Sequence, residues 1–298
     1  MRRRFVILDV FAARRFAGNP LAVVLDAEGL DTANMQTIAR EFNLAETVFV
    51  LPAREASNRA LLRIFTPVAE LPFAGHPTVG TAVLLNRIDG GPTRQFVVEE
   101  DIGPIHCVTH SIDTDLGRAR FDLARLPEKA GMPASTEAIA AALGLRVDDI
   151  GLDAFKPSRW SGGVPMTFVP VRGLDAIRRC QINLIDWDAA FGQDDRGVAY
   201  IFCRETIERG SAFHTRMFAP RLGVPEDPAT GAAAAAFSGV YAHFEHPADG
   251  QHELLLEQGY EMGRPSLIEL SLAVQDGLLR AAAIGGKAIV VSEGLIEA

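Results

Sequence analysis

The chain has 298 residues, 48% of them apolar and 22% charged, which is ordinary globular composition, long enough for one large domain or two of usual size. That excludes a disordered chain, a collagen and a disulfide-stapled miniprotein. With 29 basic against 38 acidic residues the net charge is −9 and no long basic run is present, so neither nucleic acid nor an anionic membrane surface is an expected partner.

In chain order, short runs rich in Val, Ile and Phe, broken by Gly, Pro or Asp, predict strands over 5–11, 20–25, 47–51, 61–66, 95–100, 103–109 and 117–123. Further strands are predicted over 166–171, 198–203, 213–218, 253–257, 266–274, 278–284 and 287–292. The basic start Arg2–Arg4 imitates a signal peptide, but Asp9 interrupts the apolar run and Arg14 and Arg15 follow it, so 5–11 reads as a strand. Met35, Ile38, Ala39 and Phe42 have helical spacing and predict a helix over 32–42; a second covers 135–143, and two more start at Pro77 and Pro228. Helices interspersed this irregularly argue against a Rossmann or TIM arrangement and predict a mixed α+β fold with mostly antiparallel sheets. The uncharged stretch Pro228–Ala242 is 15 residues, short of the roughly 17–25 needed to span a membrane. Cys107, Cys180 and Cys203 are too few and scattered for a disulfide framework or thiolate metal site, which fits a reducing, cytoplasmic setting. His243 and His246 lack a third ligand, so no metal is expected.

An internal repeat divides the chain. Arg63-Ile64-Phe65-Thr66-Pro67 returns as Arg216-Met217-Phe218-Ala219-Pro220, and His76-Pro77-x-x-Gly80-x-Ala82 as Asp227-Pro228-x-x-Gly231-x-Ala233. The offsets, 153 and 151 residues, are about half the chain. Two related halves follow: 1–128 plus 280–298, and 129–279. A site in a cleft between such halves is the common arrangement.

Both matches are read as helix starts with proline at the first position and His76 or Asp227 at the N-cap. Free N–H groups and a partial positive charge there suit a carboxylate or phosphate, while neither loop has a nucleotide-binding glycine pattern. Asp227 also reads as a plain helix cap. His76 is a poorer cap and can exchange protons near neutral pH. Glu46 stands between a helix end and an apolar strand; buried among Leu44, Ala45 and Val48 its carboxyl would be pushed up, as suits a general acid/base, whereas a solvated turn glutamate is the bland alternative.

These residues resemble the PhzF family, in the diaminopimelate-epimerase-like superfamily. The resemblance spans the chain through Asp9-Val10-Phe11, Gly18-Asn19-Pro20-Leu21-Ala22-Val23-Val24, Asn43-Leu44-Ala45-Glu46-Thr47 and Phe73-Ala74-Gly75-His76-Pro77-Thr78-Val79-Gly80. Glu226-Asp227-Pro228-Ala229-Thr230-Gly231, Gln258-Gly259, Met262-Gly263-Arg264-Pro265-Ser266 and Gly285-Gly286-Lys287-Ala288 complete it. It implies two similar halves about a pseudo-two-fold axis, each a β-barrel-like sheet around a central helix, and a homodimer. It also implies cofactor-independent isomerisation of a small carboxylate-bearing metabolite. The glutamate matching Glu46 moves the proton, His76 and Asp227 hold and polarise the substrate, and Asn19, Gly75, Thr230, Gly231 and Ala232 line its binding site. The superfamily's racemases use a cysteine at each helix start; none is near either start here, which disfavours two-thiol chemistry. Ala45 and Ala232 stand where the family often has serine, which points to a different or smaller ligand. Epimerisation of an amino or hydroxy acid by His76 and Asp227, and non-catalytic binding of a small acid, are the alternatives.

Overall fold

A computed structural model describes residues 1–298. Its strands are β1 (Arg2–Val10), β2 (Asn19–Val24), β3 (Glu46–Leu51), β4 (Ala60–Phe65), β5 (Glu70–Leu71), β6 (Thr93–Glu100), β7 (Gly103–Ser111), β8 (Leu116–Asp122) and β9 (Glu128–Lys129). They continue as β10 (Ser158–Ser161), β11 (Pro165–Pro170), β12 (Ala199–Cys203), β13 (Phe213–Ala219), β14 (Val224–Asp227), β15 (Gly250–Gln258), β16 (Ser266–Gln275) and β17 (Leu278–Glu297). The helices are α1 (Thr32–Phe42), α2 (Gly75–Asp89), α3 (Thr136–Leu143), α4 (Leu174–Arg179), α5 (Leu184–Phe191) and α6 (Gly231–Glu245). The fold is mixed α+β, as the sequence predicts. No helix is long and apolar enough to cross a membrane.

The chain divides into two compact units, Met1–Ala124 with Gly285–Ala298, and Arg125–Ile284. In the first, pairings run β17–β1–β2–β3–β4–β6–β7–β8 and return to β17, closing an eight-stranded barrel. Helix α2 contacts β1, β2, β3, β6, β7 and β8, and every residue from Gly75 to Asn86 is buried. A helix apolar on all sides is stable only when surrounded, and the barrel surrounds it. Gly80 makes the close approach possible, since a Cβ there would lie 2.6 Å from side-chain atoms of both Leu21 and Val10. Outside the barrel, α1 lays Met35, Ile38 and Ala39 against Val24, Phe49 and Phe65.

The second unit repeats this order of pairing. β10–β11 is antiparallel like β1–β2, β11–β12 parallel like β2–β3, and β12–β13 antiparallel like β3–β4. β13–β15 is then parallel like β4–β6, and β15–β16 antiparallel like β6–β7. Helix α6, 15 residues like α2, is buried along Ala233–Val240 and contacts β10, β11 and β16. Trp187 and Phe191 of α5 join Ile139, Leu143, Val169 and Ile177 in a core where α3–α5 cover the sheet.

Several predictions of detail fail. The two short terminal strands are one 20-residue strand, β17, because Gly285-Gly286 continues the extended chain instead of breaking it. β5, β9, β10 and β14 are too short to carry a periodic signal, and α4 and α5, at six and eight residues, have the same difficulty.

Candidate active site

Helix α1 ends at Asn43, whose φ of 50° is left-handed and whose N–H reaches the Ala39 carbonyl. This C-cap turns the chain so that Glu46 opens β3, paired with Leu21 of parallel β2. Asn19, fully buried, opens β2 opposite Val10. Glu46 is no solvated turn residue: its side chain is 17% exposed and its Oε2 lies 3.4 Å from Nε2 of His76, whose side chain is 5% exposed. Burial pushes the His76 imidazole down to about 3, so it is neutral at physiological pH.

His76 is not an N-cap. Ala74 holds that place, Gly75 and His76 are the first two helical residues, and Pro77 is the third. The proline costs nothing there, because the first turn's N–H groups have no intrahelical acceptor in any case. The Gly75 and His76 amides therefore remain open donors at the buried end of α2.

Asp227 is not an N-cap either. It ends β14, and α6 begins at Gly231 after the N-cap Thr230. The helices are equivalent with Gly75 matching Gly231, so His76 matches Ala232, and Asp227 belongs to the loop before the helix. The strand match is in register: Leu61 pairs with Glu99 as His214 pairs with Glu257.

The Asp227 loop is held by a residue to which sequence reasoning gave no role. Gln258 Oε1 accepts from the Thr230 N–H (3.2 Å). Its amide nitrogen donates to the Asp227 carbonyl (2.7 Å) and to Thr230 Oγ1 (3.1 Å). The Thr230 hydroxyl in turn donates to the Asp227 carboxylate (2.6 Å). Gly259, at φ +79°, lets the chain pass: a Cβ there would meet the carbonyl oxygens of Pro228 and Arg264 at 2.5 Å. The motif Gln258-Gly259 was the available signal.

The strand registers also show what the second unit lacks. Thr47 pairs with Phe65, and its counterpart Ala199 pairs with Phe218. The residue before each is Glu46 in one unit and Val198 in the other. Asn19, Gly75, Glu46 and His76 thus lie on adjoining elements of the first unit, and Asp227, Thr230, Gly231 and Ala232 on a loop and helix start of the second.

Residues 8–294 match the family model for phenazine biosynthesis-like proteins. The chain is 49% identical over 296 residues to a protein of Mesorhizobium japonicum named as an uncharacterized isomerase, covering 98% of each. It is 33% identical to the trans-2,3-dihydro-3-hydroxyanthranilate isomerase of Pseudomonas fluorescens, again over 98% of each. A solved Bacillus anthracis structure described as a phenazine biosynthesis protein of the PhzF family superposes with a TM-score of 0.90 at 27% identity, covering 100% of both chains. The sequence motifs, the barrel-enclosed helix α2 and these relatives agree, and the chain belongs to the PhzF family of phenazine biosynthesis-like isomerases.

Proposed function

We infer that the protein is a cofactor-independent isomerase in which Glu46 moves a proton between carbons of a small carboxylate-bearing metabolite. The carboxylate form of Glu46 takes a proton from an activated C–H. The resulting acid returns it to another carbon, the double bond migrates, and no atom is gained or lost. Neutral His76, whose Nε2 lies 3.4 Å from Glu46 Oε2, is placed to donate to substrate beside Glu46, and the open amides of Gly75 and His76 receive the substrate carboxylate. Asn19, buried at the start of β2 beside this helix start, orients it.

One observation carries this reading: the acid/base pair is one-sided. Val198 and Ala232 stand at the positions that match Glu46 and His76, and neither can transfer a proton. Racemisation calls for an acid/base on each face of the reacting carbon, and the Asp227 carboxylate is engaged with the Thr230 hydroxyl. Three buried thiols suit a reducing cytoplasm, and the family resemblance supports a homodimer, which light scattering after gel filtration would check.

The test is turnover of a panel of small unsaturated acids in D2O followed by NMR, beginning with trans-2,3-dihydro-3-hydroxyanthranilate, the compound in the relative's name. Double-bond migration is expected. Inversion at a single centre with no migration would establish an epimerase instead. Binding without turnover of any compound would favour a binding protein.

A further inference from the structure

Glu100, the last residue of β6, is 1% exposed and has no part in the chemistry above. Its Oε1 lies 2.6 Å from Thr78 Oγ1, and the same hydroxyl lies 2.7 Å from the Ala74 carbonyl. A threonine hydroxyl has one proton. Given to the carbonyl, it leaves the 2.6 Å contact to be bridged by a proton on Glu100. Oε2 is buried with no hydrogen-bond partner, a poor setting for a charge. Register gives the same answer from the other unit. Glu99 matches Glu257, so Glu100 matches Gln258, the neutral side chain that ties the start of α6 by donating through its amide.

We propose that Glu100 is a positioning residue held as the neutral acid: its O–H donates to Thr78 Oγ1 and locks the first turn of α2, which presents Gly75 and His76 beside Glu46. The proposal rests on the isomerase reading for its purpose but not for its test. Burial supports the neutral form, pushing the Glu100 carboxyl up to about 8 against smaller pulls from the Thr78 hydroxyl and the Ala74 amide. The titratable group facing it is Cys107 on β7, whose thiol is pushed up to about 12 by burial and then by Glu100, and so stays neutral. Ionisation of Glu100 removes the donor and loosens the His76 turn in mildly alkaline solution.

The experiment follows the 15N signals of His76 and the melting temperature of wild type and Glu100→Gln across pH, with no substrate. Glutamine keeps a donor and cannot ionise. Between about pH 4.5 and 8 the folded wild type holds a proton that the unfolded chain has released, so its stability falls with rising pH relative to the variant. The melting-temperature advantage of Glu100→Gln should therefore grow over that range and then level off. The wild-type His76 signals should shift near pH 8 and those of Glu100→Gln should not. If Glu100→Gln does not fold, Thr78→Val should abolish the His76 shift and Thr78→Ser should keep it. A melting-temperature difference constant from pH 5 to 9, or His76 signals that shift alike with and without the Glu100–Thr78 link, would overturn the proposal. Because no turnover is read, failure of the isomerase reading leaves these results distinct.

Discussion

Val198 stands in the second unit where Glu46 stands in the first. Both precede the first residue of a register-matched strand pair, Thr47 with Phe65 and Ala199 with Phe218. A duplicated fold has thus kept its buried helix in each copy, while only the first copy carries a carboxylate at this strand position.

The two buried histidines should titrate in opposite senses. Burial alone pushes His76 down to about 3. His214, although burial also lowers it, is raised on balance by Glu257 at 2.7 Å from Nδ1 and Glu261 at 3.1 Å from Nε2. In 15N-labelled histidine spectra at pH 6, His76 should be a single neutral tautomer and His214 a protonated imidazolium.

His214 should also matter for stability. Its raised value means that its contribution is full below about pH 6.5 and is lost as pH rises through the folded-state value. Glu257 and Glu261 are lowered on balance despite burial, chiefly by His214, so their contribution is full above about pH 4.5 and falls away in acid. Replacing His214 by Leu strands the buried Glu257 carboxylate, which keeps only the amides of Ile207 and Glu208. The expected loss is about 3–5 kcal/mol by urea unfolding at pH 6.

Two glycine substitutions should differ in kind. Gly80→Ala presses on side-chain methyls of Leu21 and Val10, which can shift, and should cost about 1–3 kcal/mol. Gly259→Ala presses on the fixed carbonyls of Pro228 and Arg264 at an unfavourable φ, and should cost more while also displacing the Asp227 loop. Calorimetry on both variants checks the order.

The sequence made the architecture legible because burial leaves periodic marks. Thr32–Phe42 was found to the residue, since Met35, Ile38 and Ala39 face one core and Asp31 caps the start through the Asn34 N–H. The strand half of the repeat was in register. The helix half was not, and the reason is physical. Proline, glycine and alanine recur at the same spacing for different purposes: Gly80 makes room for Val10 and Leu21 inside a helix, whereas Gly231 opens one. The offset between the helices is therefore 156 residues, not 151. Glu46 beside His76 was expected only through the family resemblance. Gln258 and Glu100 act through side-chain bonds across distant strands, which no local pattern announces.

In the proposed reaction Glu46 alone moves the proton. The most direct measurement is the isomerisation rate of Glu46→Gln against wild type on the first small acid that wild type turns over, with circular dichroism to show that both are folded. A loss of about a hundredfold or more is expected, the usual share of a general acid/base. A Glu46→Gln enzyme within about twofold of wild type would contradict this role of Glu46.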